Sequence, residues 1–376
     1  MRVLIVRGFP EKLNLSGYNV QETGLAAALR RKGIVCDIVF FGGKEPDHVQ
    51  ELADGTKIYW LHGINVVKNG IMPGVKRLAK AYNVIQVHEY DQLQSWLAYT
   101  FWKKPVVVYH GPYYDAFNRG YNAKCRVFDH SLLLFSSRAK RSVHCLAKSP
   151  LAAKFLQEKG FRHVLSVGVG FDASAMDTGV ESSPVSDAMP DDKTNLFYVG
   201  KLEERRNIPF LLEVIKKVSE QREDLHATIV GTGDAAYVAK VQPAMRRLEE
   251  RGVLTYIPKA QQRELAAAYR KADIFLFPTN YDIFGMVLLE AMYYGCVCIS
   301  SENGGSTTLL HENNGIVIRD LDATSWTRRI LDLVKDPQRM QRMKEAAAAT
   351  VRDHFQWDAL ADQFIRTYEE AVGSRD

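Results

Sequence analysis

At 376 residues the chain exceeds what one compact core holds and suits two domains; its 46% hydrophobic and 25% charged residues are ordinary for a folded globular protein. No apolar run approaches the ~20 residues that cross a bilayer, and the opening MRVLIVRGFPEK has only Val3 to Val6 in a row, a buried strand and not a signal peptide. The net charge of +5 is uneven: residues 1–180 carry +10 and residues 181–376 carry −5, so the first half offers a basic face to nucleic acid, an acidic membrane surface or a phosphorylated acceptor, unless it is simply solvated.

The first strand, RVLIVR, leads into a long loop, Phe9 to Glu22, with Ser16 and Gly17 just before the helix NVQETGLAAALRRKG, which stops at Gly33. A glycine there lets a ligand approach the backbone. The loop is not a G-x-G-x-x-G fingerprint, which argues against a nicotinamide or flavin dinucleotide. IVCDIVFF, KIYWLH, VIQVHE, PVVVYH, SLLLFS and VLSVGVG then read as short strands. Being apolar without alternation, they are expected to be buried on both faces of a parallel sheet, with helices between them. His110 ends PVVVYH and Gly111 lets the chain turn, so this imidazole either meets a substrate or packs as a structural group. His88, ending VIQVH, reads as structural. The basic excess sits in VKRLAK, FWKK and SSRAKRS. Cys36, Cys125, Cys145, Cys296 and Cys298 lie mostly in apolar runs and read as reduced core residues of a cytosolic protein, without zinc spacing.

Asp177 to Thr194 is rich in Ser, Pro and Asp and reads as a linker and surface loop. The alternation restarts with NLFYVG, HATIVG, VLTYI, DIFLFP, CVCIS and GIVIR, giving a second α/β domain. Ligands of such sheets sit beyond the carboxyl ends of the strands, and the motifs fall there. NLFYVG ends at Gly200, followed by Lys201, Arg205 and Arg206: cations for a diphosphate, or a solvated run KLEERR with local salt bridges. Gly231 closes the next strand. The loop after DIFLFP holds Asp282, Ile283, Phe284 and Gly285, and Met286 opens the helix MVLLEAMYYG with its free amides. Glu290 stands inside that apolar helix, where a carboxylate needs a partner; a vicinal diol would serve, as would a neighbouring base, and Asp282 could merely cap the helix. Gly304 and Gly305 follow CVCIS as another backbone-rich contact. Asp320 and Asp322, after GIVIR, have a metal-like spacing but no third oxygen ligand and read as a surface loop. The last ~50 residues read as helical.

Seven of these motifs stand in the order and register of the retaining glycosyltransferases of family four, which the chain resembles along essentially its whole length. They are SGYNVQETGLAAALRRKG, His110-Gly111, VGFD at Val169 to Asp172, GKLEERRN, Pro278-Thr279 with DIFGMVLLE, GGSTT, and Phe355, Trp357 and Tyr368. Asp282 replaces the usual first Glu, Lys201 the usual Arg, Arg206 the usual Lys, and Thr308 a frequent Glu. The resemblance implies the GT-B fold, two Rossmann-like domains facing a cleft. The domains expected are residues 1–176 on the acceptor side, a linker over 177–193, residues 194–355 for the nucleotide sugar, and a helix over 356–376 packing back toward the first domain. It also implies the chemistry. Glu290 holds the ribose of a nucleotide diphosphate sugar, expected to be UDP-linked, and Pro258 and Lys259 meet the base. Lys201 and Arg206 neutralise the diphosphate in place of a metal. Asp282, with the backbone of Ile283 to Met286, holds the sugar, and Gly17 and His110 close over it. No cofactor is implied beyond this co-substrate, and no nucleic acid. The acceptor is a glycan or lipid-linked molecule, and the enzyme is cytoplasmic, at the inner membrane face where its basic half meets acidic lipid. Rivals are an epimerase or phosphorylase on the same fold, and a non-catalytic nucleotide-binding subunit.

Overall fold

The computed structural model describes residues 1–10, 13, 15, 20–172, 179 and 181–374. Ser16 and Gly17 lie outside the described residues. The chain forms two compact units, Met1–Gly170 with Phe355–Asp376, and Phe171–His354.

The first unit holds β1 (Arg2–Arg7), β2 (Val35–Gly43), β3 (His48–Glu51), β4 (Lys57–His62), β5 (Ile64–Val66), β6 (Asn69–Ile71), β7 (Val84–His88), β8 (Val106–His110), β9 (His144–Ala147) and β10 (His163–Ser166). Its main sheet runs β10-β9-β8-β7-β1-β2-β4-β3, and every pair is parallel except β3 with β4. All five residues of β7 and of β8 are buried, as expected of strands covered on both faces. The strand order reverses at β1 and β7, so the ligand end of this sheet lies where those two strands stop.

The second unit holds β11 (Thr194–Val199), β12 (Leu225–Val230), β13 (Leu254–Ile257), β14 (Ile274–Phe277), β15 (Val297–Ser301) and β16 (Gly315–Ile318), in the order β13-β12-β11-β14-β15-β16, all parallel. Here the reversal falls between β11 and β14. The helix Ile208–Ser219 shows how the core closes: Ile208, Leu211, Leu212, Ile215 and Val218 recur at helical spacing, and all are buried.

Three expectations are corrected. SLLLFS is not a strand: Leu133–Ser136 is a 3-10 turn, with Leu133 and Ser136 buried and Leu134 and Phe135 exposed. A short apolar run does not distinguish strand from helix by itself. The strand at that point of the chain is His144–Ala147, absent from the sequence reading. The expected linker contains a packed turn, Pro184–Asp187; the Ser183 hydroxyl caps it, accepting from the Ser186 amide at 3.2 Å and donating to the Glu264 carbonyl at 2.9 Å, and Val185 and Met189 are buried.

Candidate active site

In the second unit the loops at the switch point are drawn together by Asp282. Its Oδ1 accepts from the Gly285 amide at 2.7 Å and the Phe284 amide at 3.2 Å, and its Oδ2 lies 2.9 Å from Arg206 Nη1. Thus the loop after β14 is bound to the loop after β11. Arg206 is further held by the Thr279 hydroxyl at 3.3 Å and lies over the Phe277 ring, 5.1 Å from its centre. The Arg205 guanidinium donates to the Tyr281 carbonyl and to Glu203, each at 2.6 Å. Lys201 is different. Its side chain is 65% exposed and its ammonium stands 3.6 Å from Glu203, a pair weakened by solvent. The local salt bridges that the sequence allowed for KLEERR are therefore present, all on Glu203.

These contacts change what Asp282 and its loop are free to do. The Asp282 carboxylate was expected to hold sugar hydroxyls with the backbone of Ile283 to Met286. One of its oxygens takes the amides of Phe284 and Gly285, as the capping alternative allowed, and the other takes an arginine. Gly285, at φ +74°, is the residue that lets the chain turn into the helix Met286–Tyr293.

Glu290 is 2% exposed, and its Oε2 accepts from the Tyr269 hydroxyl at 3.0 Å. The carboxylate in the apolar helix thus has a partner inside the protein, contributed by the helix Gln262–Lys271.

The glycines act by close approach of backbones. A Cβ on Gly304 would stand 2.4 Å from the Ile283 carbonyl oxygen, and one on Gly305 2.2 Å from that of Phe284. The Gly304 amide donates to the Asp282 carbonyl at 3.0 Å and the Gly305 amide to Asn303 Oδ1 at 2.9 Å. The Gly304 amide thus braces the Asp282 loop, while the Gly305 amide is taken up within its own loop by Asn303. Gly231 likewise passes against Gly200, whose carbonyl oxygen would meet a Cβ at 1.9 Å. Pro258 and Lys259 are exposed immediately after β13. Asp322 caps the helix Ala323–Val334, accepting from the Ser325 amide at 2.8 Å and the Thr324 amide at 3.3 Å.

In the first unit, His110 is fully buried at the end of β8, stacked on Phe155, with its Nδ1 2.6 Å from Glu89 Oε2. Glu89 follows β7 at φ +60°, and its carboxylate also accepts from the Gly111 amide at 3.1 Å. Burial would raise its pKa, but His110, the Lys148 ammonium and that amide hold it down at about 2. Beside it, Glu22 takes Arg7 at 3.2 Å and His88 at 3.4 Å. Burial also favours the neutral imidazole of His88, with a pKa lowered to about 4 against the pull of Glu22. Lys148, after β9, has a lowered pKa because burial outweighs Glu89 and Glu22. Arg7, Glu22, Glu89 and Lys148 were missed by sequence reasoning. Three of them, Arg7, Glu89 and Lys148, end or directly follow a strand, the signal that found Lys201.

Residues 181–350 match the family model of glycosyl transferases group 1. Over 228 residues the chain is 25% identical to a D-inositol 3-phosphate glycosyltransferase of Kineococcus radiotolerans, a match covering 56% of this chain and 52% of that one. Over 218 residues it is 27% identical to a phosphatidyl-myo-inositol mannosyltransferase of Mycobacterium tuberculosis, covering 55% and 56%. The chain spans about half the length of these curated relatives. Among solved structures, HepE of Anabaena in complex with UDP superposes at a TM-score of 0.72 with 16% identity, covering 98% of this chain and 100% of that one. That likeness shows the fold, which is GT-B as the resemblance implied.

Proposed function

We propose that the protein is a glycosyltransferase that moves a sugar from a nucleotide diphosphate sugar to a glycan or lipid-linked acceptor, with retention at the anomeric carbon. The observation that carries this reading is Arg206, locked by Asp282, Thr279 and Phe277 at the strand reversal inside the matched residues 181–350. A guanidinium fixed beforehand stabilises charge on a leaving diphosphate without reorganising during the reaction. Lys201, exposed beside it, supplies the second, movable cation, and the two together do the work of a metal. Asp282 is a positioning residue: it aims Arg206 and shapes the turn into the helix that carries Glu290. We assign the ribose diol to Glu290 as a further partner besides Tyr269. Pro258 and Lys259, exposed after the next strand, meet the base. UDP bound to HepE supports a uridine donor, and the names of the two curated relatives support an acceptor carrying phosphate or lipid. The same acceptor class would place the enzyme at the inner membrane face.

The test is turnover of a panel of UDP- and GDP-sugars, read as released nucleoside diphosphate with and without acceptor. Lys201→Ala is expected to keep the melting temperature within a few degrees and to lose about 100-fold in rate, the scale of removing one charge-stabilising group. Near-normal rates would overturn the diphosphate assignment. Conversion of the donor alone into an epimer would overturn transfer. Chelator is expected to leave the rate unchanged.

A further inference from the structure

We propose that the corner formed by the helix Arg119–Ser131, the turn Leu133–Ser136 and the helix Ser137–Ser142 docks the first unit on an anionic lipid bilayer. Leu134 is 63% exposed and Phe135 75%, and Val127, two turns earlier, is 71% exposed. A packed protein surface seldom leaves such a group uncovered. Phe101, 58% exposed, is tied to the same corner: its ring lies 5.2 Å from that of Trp96, and the Trp96 indole N–H donates to the Leu132 carbonyl at 3.2 Å and the Ser136 hydroxyl at 3.1 Å.

The charge around these side chains is of one sign. Residues 101–142 hold eight Lys and Arg against two acidic residues, Asp115 and Asp129. Asp129 is bound by Lys159 and by Tyr90, and Asp115 caps the turn at Phe117. Arg119, Arg126, Arg138 and Arg141 are exposed, and Arg126 is the immediate neighbour of Val127. Lys124 turns inward to Asp91, which leaves the arginines as the outward cations of these helices. Apolar side chains projecting between arginines match the interfacial region of a membrane, where the first enter the acyl boundary and the second meet phosphates. A groove would shield its apolar lining; exposures this high belong to a projecting corner, which suits a bilayer better than a partner's helix. The inference deepens the lipid-linked acceptor reading and rests on it for its purpose, but the test reads binding alone.

The full chain is sedimented with vesicles of phosphatidylcholine, and of phosphatidylcholine with about 30% phosphatidylglycerol, at low and high salt. Binding to the anionic vesicles is expected to fall as salt rises, with little binding to the neutral ones. The double substitution Leu134→Ser with Phe135→Ser, at exposed positions, is expected to keep the melting temperature and to weaken binding at least tenfold. Arg126→Ser, Arg138→Ser and Arg141→Ser together are expected to weaken it about 100-fold, at roughly fivefold per charge. Arg328→Ser with Arg329→Ser, in the second unit, is expected to change nothing. No binding by the wild type at low salt, or undiminished binding by the Leu134/Phe135 variant, overturns the proposal. So does a wild-type dimer that the same variant turns into a monomer, for the corner would then join copies of the chain. Donor binding measured by calorimetry on these variants separates a failure here from a failure of the transferase reading.

Discussion

Glu290 and Tyr269 form a buried acid–hydroxyl pair whose two sides can be removed separately. If the pair only braces two helices, Tyr269→Phe and Glu290→Gln will cost stability alike and leave nucleotide affinity alone. The ribose assignment predicts a split. Tyr269→Phe is expected to lower stability by about 1 kcal/mol, the scale of one hydrogen bond, with UDP affinity nearly unchanged. Glu290→Gln is expected to weaken UDP about tenfold to a hundredfold, since a hydrogen bond to a charged group is worth about 1.5–3 kcal/mol. Calorimetric titration with UDP and with its dideoxyribose analogue reads the difference. Equal losses for both ligands would take Glu290 off the ribose.

At the scale of elements, Gly304 and Gly305 form a tight joint between the loops of the candidate site. Gly305→Ala would drive a methyl group against the Phe284 carbonyl oxygen and displace the loop that Asp282 organises. Overpacking of this kind costs about 1–3 kcal/mol, and the expected result is a lower melting temperature together with a loss of turnover. Gly373→Ala, where a Cβ meets nothing within 4 Å, is the control and is expected to be neutral or slightly stabilising. Elements of this kind also mark how far the sequence could be read. The strands buried on both faces and the motifs beyond their ends were legible because apolar runs and abrupt polar residues are local signals. The cap made by Asp282 was legible for the same reason, but its pair with Arg206 was not, since it joins residues 76 positions apart, and neither was the identity of SLLLFS, because four apolar residues look alike whether buried or projecting. His144–Ala147 went unseen because a histidine and a cysteine dilute its apolar character.

Across the whole molecule, the buried ionisable groups of the first unit should make the protein acid-sensitive in two steps. His88 has a pKa of about 4 when folded against 6.5 ordinarily, so the unfolded chain binds the extra proton and stability falls as pH drops from 6.5 to 4. Glu89, at about 2 against 4.5, adds a second loss between pH 4.5 and 2. Urea unfolding across this range should show both, and His88→Gln should flatten the first limb alone. The helix Trp357–Gly373 sets a different constraint. It belongs to the unit begun by Met1: the Tyr368 hydroxyl donates to Gln86 at 2.6 Å, Arg31 and Lys32 pair with Asp358 and Asp362, and the Trp357 ring fills the space left by Gly24 and Gly170. During synthesis, Phe171–His354 is one uninterrupted stretch and can fold as it leaves the ribosome, whereas the first unit lacks a wall until Phe355–Asp376 emerges. The half of the protein made first is therefore completed last, and a nascent chain stalled before Trp357 would carry a finished second unit behind an unfinished, chaperone-dependent first one.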